Sequence, residues 1–180
     1  LEMPSDALVE REPITLICSA KGWIRAARGH LDEAAKVKYK EGDRERFRFH
    51  AETTDKLILF ATNGRFYTIS SDKLPGSRGF GEPVRLMIEL GNDQDVVALF
   101  VHRPGRRLLV ASTDGRGFIV EEGGVLAEKR TGKQVLNPVE QAEACICVAA
   151  DGDSVAGVGD NRRLLLFPAA EVPVLARGRG

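Results

Sequence analysis

The stretch KLILFATNGRFYTISSDKLP, residues 56–75, places two runs of β-branched, aromatic and aliphatic residues on either side of Asn63-Gly64. Asn-Gly between such runs is the strongest short-range signal for a β-hairpin, because a type I′ turn needs positive φ at both central residues. The loop that follows, LPGSRGFGEPV at residues 74–84, is rich in glycine but does not lead into a helix, as a dinucleotide-binding motif requires. The stretch therefore predicts a hairpin and an exposed loop.

The same layout occurs four times along the chain. Besides residues 56–75, hairpins are predicted at residues 14–29, 106–125 and 153–173, with turns at Lys21-Gly22, Asp114-Gly115 and Asn161-Arg162. Successive turns are 42, 51 and 47 residues apart, and repeats of about 40–50 residues are typical of propeller blades. We therefore expect a propeller-like array of repeats.

Strands between the hairpins complete the predicted blades. They are expected at residues 46–51, 84–90, 96–102 and 144–150, which brings each repeat to roughly four strands, the number in one blade. A helix is arguable only at residues 30–41, and the end of that segment alternates like a strand. The prediction is an all-β domain of four-stranded blades over residues 14–180, preceded by a linker at residues 1–13.

Composition excludes little. The 180 residues carry 26 basic and 26 acidic side chains, so net charge does not point to nucleic acid, although a neutral total can hide a basic face. The cysteines Cys18, Cys145 and Cys147 lack the spacing of zinc or redox sites and suit buried, reduced thiols in a cytoplasm. Three scattered histidines show no metal pattern, and no apolar run approaches the ~18 residues of a membrane helix. Neither a metal nor a membrane is expected.

A basic residue beside glycine recurs after the second strand of each hairpin. The four elements are Arg28-Gly29, Arg78-Gly79, residues 129–133 and residues 177–180. Solvation alone would explain any one of them, but four recurrences at one phase of the repeat predict a basic belt. Phosphodiester backbones fit such a belt, because glycine admits close approach and Arg and Lys neutralise phosphate. Lys36, Lys38 and Lys40 also share one face of an extended segment, and so do Arg44, Arg46 and Arg48; a simple solvated face is the alternative for each tract.

Five segments carry a family resemblance: KGWIRAARGH, LPGSRGFGEP, STDGRGFI, KRTGKQVL and RLLLFPAAEVPVLARGRG. They resemble the C-terminal domain of the A subunit of bacterial DNA topoisomerase IV over residues 12–180, and more distantly that of its paralogue in DNA gyrase. The resemblance implies a β-pinwheel whose blades exchange strands. It also implies a non-catalytic domain that binds and bends duplex DNA along a basic rim, to help select and present the transported segment for decatenation and relaxation. The DNA-binding residues carried over are Arg25, Arg28, Lys36, Lys38, Arg65, Arg78, Lys129, Arg130, Lys133, Arg177 and Arg179.

Departures from the family pattern refine this expectation. The Q-R-R-G-G-K-G box of gyrase is absent, and EKRTGKQ at residues 128–134 keeps only part of its character. That favours the topoisomerase IV type, with a DNA-wrapping gyrase domain as an alternative. The family's DNA-cleaving tyrosine is not present, so no catalytic residue, metal or cofactor is expected in this domain. One or more final blades are expected beyond Gly180.

The resemblance also implies partners and a location. The holoenzyme is expected to use ATP and Mg on other domains or subunits. Its implied partners are duplex DNA, the N-terminal breakage-reunion domain of the same chain and the B subunit of topoisomerase IV, in the cytoplasm and associated with the nucleoid. A protein-binding propeller is the competing hypothesis, with Trp23 and Phe80 as candidate contacts. The pairs Asp93/Asp95 and Asp151/Asp153 lack the pattern of a Ca²⁺ loop and are attributed to turns.

Overall fold

The structure, a computed structural model, describes residues 10–32, 34–76, 79–138, 141–149, 154–158 and 164–168. Its regular structure consists of β-strands and short 3₁₀ turns, so the predicted all-β class is confirmed. Among the described residues no helix has the length and apolar character that a bilayer crossing demands. The strands are β1 (Pro13–Ser19), β2 (Trp23–Arg28), β3 (Glu45–Glu52), β4 (Lys56–Ala61), β5 (Arg65–Ser70), β6 (Glu82–Pro83), β7 (Val96–Val101), β8 (Arg107–Ser112), β9 (Gly117–Glu121), β10 (Lys133–Gln134), β11 (Ala144–Ala149), β12 (Ser154–Val158) and β13 (Leu164–Pro168).

The strands form four sheets in the described ranges. Two sheets have four strands each, in the orders β3-β1-β2-β6 and β10-β5-β4-β7. The third has the order β11-β8-β9, and the fourth is the antiparallel pair β12-β13. All four predicted hairpins are thus present. The turn at Asn161-Arg162 lies outside the described residues.

The chain forms two compact units, residues 1–57 with 69–89 and residues 58–68 with 90–180. In the first unit, Leu16 and Ile24 of the central hairpin are completely buried. In the second, Phe60 and Phe66 contact each other with ring centroids 4.4 Å apart, inside a cluster that includes Val110. Each unit therefore has a core of its own. Full burial of one such side chain contributes about 1.5–3 kcal/mol to stability.

The hairpin turns differ from the expected type I′ geometry. Each is closed by a bond from a glycine N–H to the carbonyl three residues earlier: Gly22 to Ser19, Gly64 to Ala61 and Gly115 to Ser112, at 3.0, 2.9 and 3.0 Å. Only the glycines have positive φ, at +84°, +78° and +83°, and the residues before them do not. This is the pattern of a type I turn followed by a left-handed glycine, the next most common hairpin connection. Asn63 accepts a bond from Arg65 N–H at 2.9 Å, so its side chain braces the turn.

A second backbone bond recurs where each hairpin ends. The N–H sixteen residues after the start of the repeat donates to the carbonyl at that start: Gly29 to Pro13 (2.8 Å), Ser71 to Asp55 (3.1 Å) and Glu122 to Arg106 (2.9 Å). The bond holds the outgoing chain against the beginning of its own hairpin. The three repeats therefore share backbone architecture although their side chains at this position differ.

Short strands link successive repeats. β6 follows the second hairpin in the chain but pairs with β2 of the first, with Trp23 opposite Pro83. β10 follows the third hairpin and pairs with β5 of the second, with Arg65 opposite Gln134. The predicted strand at residues 84–90 is wrong, because the chain turns through a 3₁₀ turn at Val84–Leu86 directly after β6. Strand exchange between neighbouring repeats, which the resemblance implied, is present in both units.

The end of the predicted linker contacts the first sheet. Glu12 and Thr53 exchange two hydrogen bonds of 2.9 and 3.0 Å beside β3. The part of the predicted linker before residue 10 lies outside the described residues. Cys18 is buried as expected, whereas Cys145 and Cys147 are only half-buried.

Candidate nucleic-acid interface

An open depression of about 930 Å³ lies in the first unit, between β2, the segment after it and the glycine loop that precedes β6. Among the described residues that line it, four are basic and none is acidic. These four are all predicted DNA-binding residues: Arg25, Arg28, Lys36 and Lys38. The fold thus gathers residues that are up to 13 positions apart in the sequence around one concave surface.

Three of these cations point into solvent. Arg28 ends β2, and Lys36 and Lys38 belong to a segment in which exposed lysines alternate with the half-buried Val37 and Tyr39. The predicted alternating face is therefore real, although the segment is not paired as a strand. No described carboxylate forms an ion pair with any of the three. Within the described part of the chain, their positive charges therefore have no acidic partner.

The structure corrects the expectation for Arg25. This residue is only 4 % exposed, and its guanidinium donates to Gly79 O at 2.5 Å and to Lys38 O. The same group lies over the ring of Tyr39, 5.6 Å from its centroid. A guanidinium with its donors aimed at two carbonyls is a positioning group, so Arg25 joins the lysine segment and the glycine loop instead of contacting phosphate.

Two glycines that directly precede the exchanged strands, Gly81 and Gly132, let the protein's own backbone pack closely. Gly81 has φ of +85°, and a Cβ there would lie 2.2 Å from Ile24 O in β2. In the second unit Gly132 has φ of +75°, and its Cβ would lie 2.7 Å from Phe66 O in β5. Both glycines let a loop cross closely over a hairpin strand just before the exchanged strand begins. Of the glycines in the predicted basic–glycine elements, Gly132 shows this crossing, whereas Gly29 and Gly79 have nothing within 4 Å of an added Cβ.

The second unit carries the other basic loop. Lys129 and Arg130 are exposed in a turn closed by Gly132 N–H to Lys129 O at 3.0 Å. Arg65 donates to Thr131 O at 3.0 Å, so it braces the loop from β5 much as Arg25 braces the loop of the first unit. Lys133, in β10, is exposed while its ammonium donates to Gly124 O at 2.6 Å.

The predicted basic–glycine elements do not all occupy one phase of the repeat. Arg28-Gly29 ends the second hairpin strand, at the position of Ser71 and Glu122 in the later repeats. Residues 129–133, in contrast, lie in the loop and strand after the hairpin, as Gly79 does. Both positions follow a hairpin closely in the sequence, so the sequence alone did not distinguish the end of the second hairpin strand from the loop after it. Arg78, Arg177 and Arg179 lie outside the described residues.

Sequence reasoning missed two contacts that shape this surface. The rings of His30 and His50 stack at 4.4 Å with planes 5° apart, and their Nε2 atoms donate to Ala51 O and Leu31 O. The Lys40 ammonium sits 3.5 Å from the centroid of the Trp23 ring. Both contacts hold the segment after β2 on the sheet. The alternating lysines indicated that Lys40 lies on an exposed face, but no sequence pattern indicated the histidine stack.

Comparison with known proteins gives a consistent family. No protein-family profile matches the chain. The A subunit of DNA topoisomerase 4 from Caulobacter vibrioides is 48 % identical over 97 % of this chain and 23 % of that protein. Its counterpart from Rickettsia bellii is 41 % identical, over 97 % and 24 %, and that from Escherichia coli 28 %, over 99 % and 24 %. The chain thus spans about a quarter of the length of these relatives.

Solved structures agree on the fold. The E. coli ParC C-terminal domain superposes with a TM-score of 0.80 at 29 % identity, covering 94 % of this chain and 70 % of that one. The C-terminal domain of a DNA topoisomerase IV gives 0.79 at 18 % identity over 96 % and 57 %, and the DNA gyrase A C-terminal domain gives 0.62 at 15 % over 93 % and 58 %. The all-β fold with exchanged strands is that of the β-pinwheel. By sequence and fold, the chain belongs to the family of C-terminal domains found in the A subunit of bacterial DNA topoisomerase IV.

Proposed function

We propose that this chain binds duplex DNA through phosphate contacts and bends it, without reading base edges. The observation that carries the proposal is the depression of the first unit, where Arg28, Lys36 and Lys38 are exposed and unpaired with any described carboxylate. Cations in such a setting gain free energy from a polyanion by releasing its condensed counterions. The exposed Lys129 and Arg130 offer a second basic contact in the other unit.

The family supplies the cellular role in this proposal. Its relatives are subunits of DNA topoisomerase 4, so the domain would help a type II topoisomerase select and present the transported duplex for decatenation and relaxation. The breakage-reunion domain of the same chain and the B subunit of the holoenzyme would be its protein partners. ATP and Mg would act on those other parts, in the cytoplasm at the nucleoid.

Binding measured across salt concentrations tests the proposal. Each neutralised phosphate contributes about −0.9 to the slope of log affinity against log salt, so three contacts in the depression alone give roughly −3. Replacing Lys36 and Lys38 by Glu should weaken binding to every duplex sequence alike and make the slope shallower by about 2. Gel-shift titrations with two unrelated duplexes would measure both quantities.

Lys56→Glu combined with Lys73→Glu is the matched control, since both lysines are exposed in the same unit but do not line the depression. It should change binding far less than the Lys36/Lys38 pair. A slope near zero in the wild-type chain would overturn the phosphate-contact proposal and favour the protein-binding alternative. Loss of affinity for only one of the two duplexes would indicate base readout instead.

A further inference from the structure

The apolar side chain of Phe80 is exposed to solvent, unlike those of the core phenylalanines. It is 38 % exposed, whereas Phe60, Phe66 and Phe118 are completely buried. The other phenylalanines whose burial the structure describes, Phe47, Phe49 and Phe100, are half-buried. An aromatic ring left at a loop tip loses the free energy that its burial would contribute, so its position calls for a reason outside the core.

The loop around Phe80 is held by its backbone and does not depend on the ring. Gly79 O accepts the bond from Arg25, and Gly81 packs directly over Ile24 O with φ of +85°. The corresponding loop of the second unit has the same glycine-over-carbonyl crossing at Gly132, and its residue before that glycine is the exposed Thr131. The same loop conformation therefore forms with a polar residue at this position, and the fold does not require phenylalanine there.

The surroundings of the ring are cationic. Phe80 lines the depression together with Arg28, Lys36 and Lys38, so an apolar group stands among charges that have no described acidic partner. Nucleic acid combines an anionic backbone with apolar base faces, and apolar side chains that enter base steps kink a duplex. A protein ligand would need carboxylates spaced around an apolar side chain, a more specialised requirement. Charge complementarity favours DNA as the occupant.

We propose that Phe80 is an apolar wedge that packs against a base step of the bound duplex and localises its bend. The inference rests on the proposed function, since the cations must first hold the backbone over the depression. Deformable pyrimidine–purine steps are the preferred targets, because they unstack at the lowest cost. In this proposal Phe80 is responsible for the bend, and the cations contribute most of the affinity.

Bending and affinity measured on the same DNA separate the two roles. A duplex of about 20 base pairs, roughly 70 Å long, with a donor and an acceptor dye at its ends reports bending by energy transfer, because such a length stays nearly straight when free. Phe80→Ala should lose most of the bend and weaken binding by about tenfold, the lower range for an aromatic contact with a base. The salt slope should stay unchanged because the phosphate contacts remain. Phe80→Leu, which keeps an apolar wedge, should retain much of the bend.

Leu86→Ala is the control, since Leu86 is 64 % exposed in the same unit but outside the depression. It should bend DNA like the wild type. Full bending by Phe80→Ala would overturn the wedge while leaving phosphate binding intact. A wild-type chain that does not bind DNA would overturn both proposals, and a shallower salt slope in Phe80→Ala would overturn the division of roles.

Discussion

The guanidinium of Arg25 donates a 2.5 Å hydrogen bond to the carbonyl oxygen of Gly79, a residue 54 positions away along the chain. A second bond from the same group reaches Lys38 O. One buried side chain therefore fixes both walls of the basic depression. Arginine suits this task because its planar fork presents several donors at fixed angles.

Arg25→Lys should destabilise the first unit by about 1–3 kcal/mol, because lysine cannot reach both carbonyls and leaves one buried acceptor unpaired. Urea unfolding would measure the loss. DNA binding should weaken with an unchanged salt slope, since no phosphate contact is removed. Arg28→Lys, at an exposed position that keeps its charge, should leave stability unchanged within about 0.5 kcal/mol. Unchanged stability in Arg25→Lys would contradict the bracing role, because lysine cannot reproduce both bonds.

Gly81→Ala and Gly132→Ala should each destabilise the protein by about 2–4 kcal/mol. Both positions have positive φ, and the added methyl would meet a backbone carbonyl oxygen that cannot move away cheaply. Gly29→Ala is the matched control, because Gly29 has φ of +78° with nothing within 4 Å of the new Cβ. It should cost only the strain of the backbone conformation, about 1 kcal/mol. Equal losses at all three positions, in chemical denaturation, would refute the steric argument.

Local patterns predict the hairpins well, because Asn63-Gly64 and Asp114-Gly115 stand between clear apolar runs. The predicted turn type is wrong, since a dipeptide does not reveal that only its glycine takes positive φ. The strand expected at residues 84–90 is absent because apolar composition cannot distinguish a strand from a turn that buries Val84 and Ile88.

The site is harder to predict than the fold. Lys36 and Lys38 are recognisable from alternation, which is local. Arg25 falls into the same predicted group because charge is visible in a sequence, whereas its carbonyl partners include one from a loop 54 residues away. From the sequence, Gly132 suggests room for phosphate, because its close contact with β5 exists only once the neighbouring repeats exchange strands.

Glu122→Gln should destabilise the second unit by about 3 kcal/mol or more. Glu122 is 0 % exposed, and its carboxylate accepts bonds from the Arg106 guanidinium and from Arg103 N–H at 3.0 Å. The amide would leave a largely buried guanidinium without its counter-charge. Thermal unfolding would measure the loss, and Glu121→Gln, on the exposed neighbouring residue, should change stability by less than about 0.5 kcal/mol.

A double variant tests the origin of that loss. The second repeat has Ser71 and Asp55 at the two positions that Glu122 and Arg106 occupy in the third, with the same backbone bond between them. Glu122→Ser combined with Arg106→Asp should therefore be more stable than Glu122→Ser alone, because no unpaired guanidinium remains. Additive losses in the double variant would contradict a charge-pair explanation.

The Cys18 thiol should make stability fall at alkaline pH. Burial raises its pKa from the usual 9.0 to about 12, so the folded protein holds the proton more tightly than the unfolded chain. The resulting stabilisation is complete below pH 9 and is lost as pH rises from 9 towards 12, by up to ~1.4 kcal/mol per pH unit.

In Cys18→Ala this pH dependence is absent, so the difference in stability between the wild type and Cys18→Ala should shrink over that range in urea unfolding. Burial and the bond to Glu45 also raise the pKa of Tyr39 to about 12, but Tyr39 is present in both proteins and cancels in the difference. An advantage that stays constant up to pH 11 would show that the thiol is not buried as described.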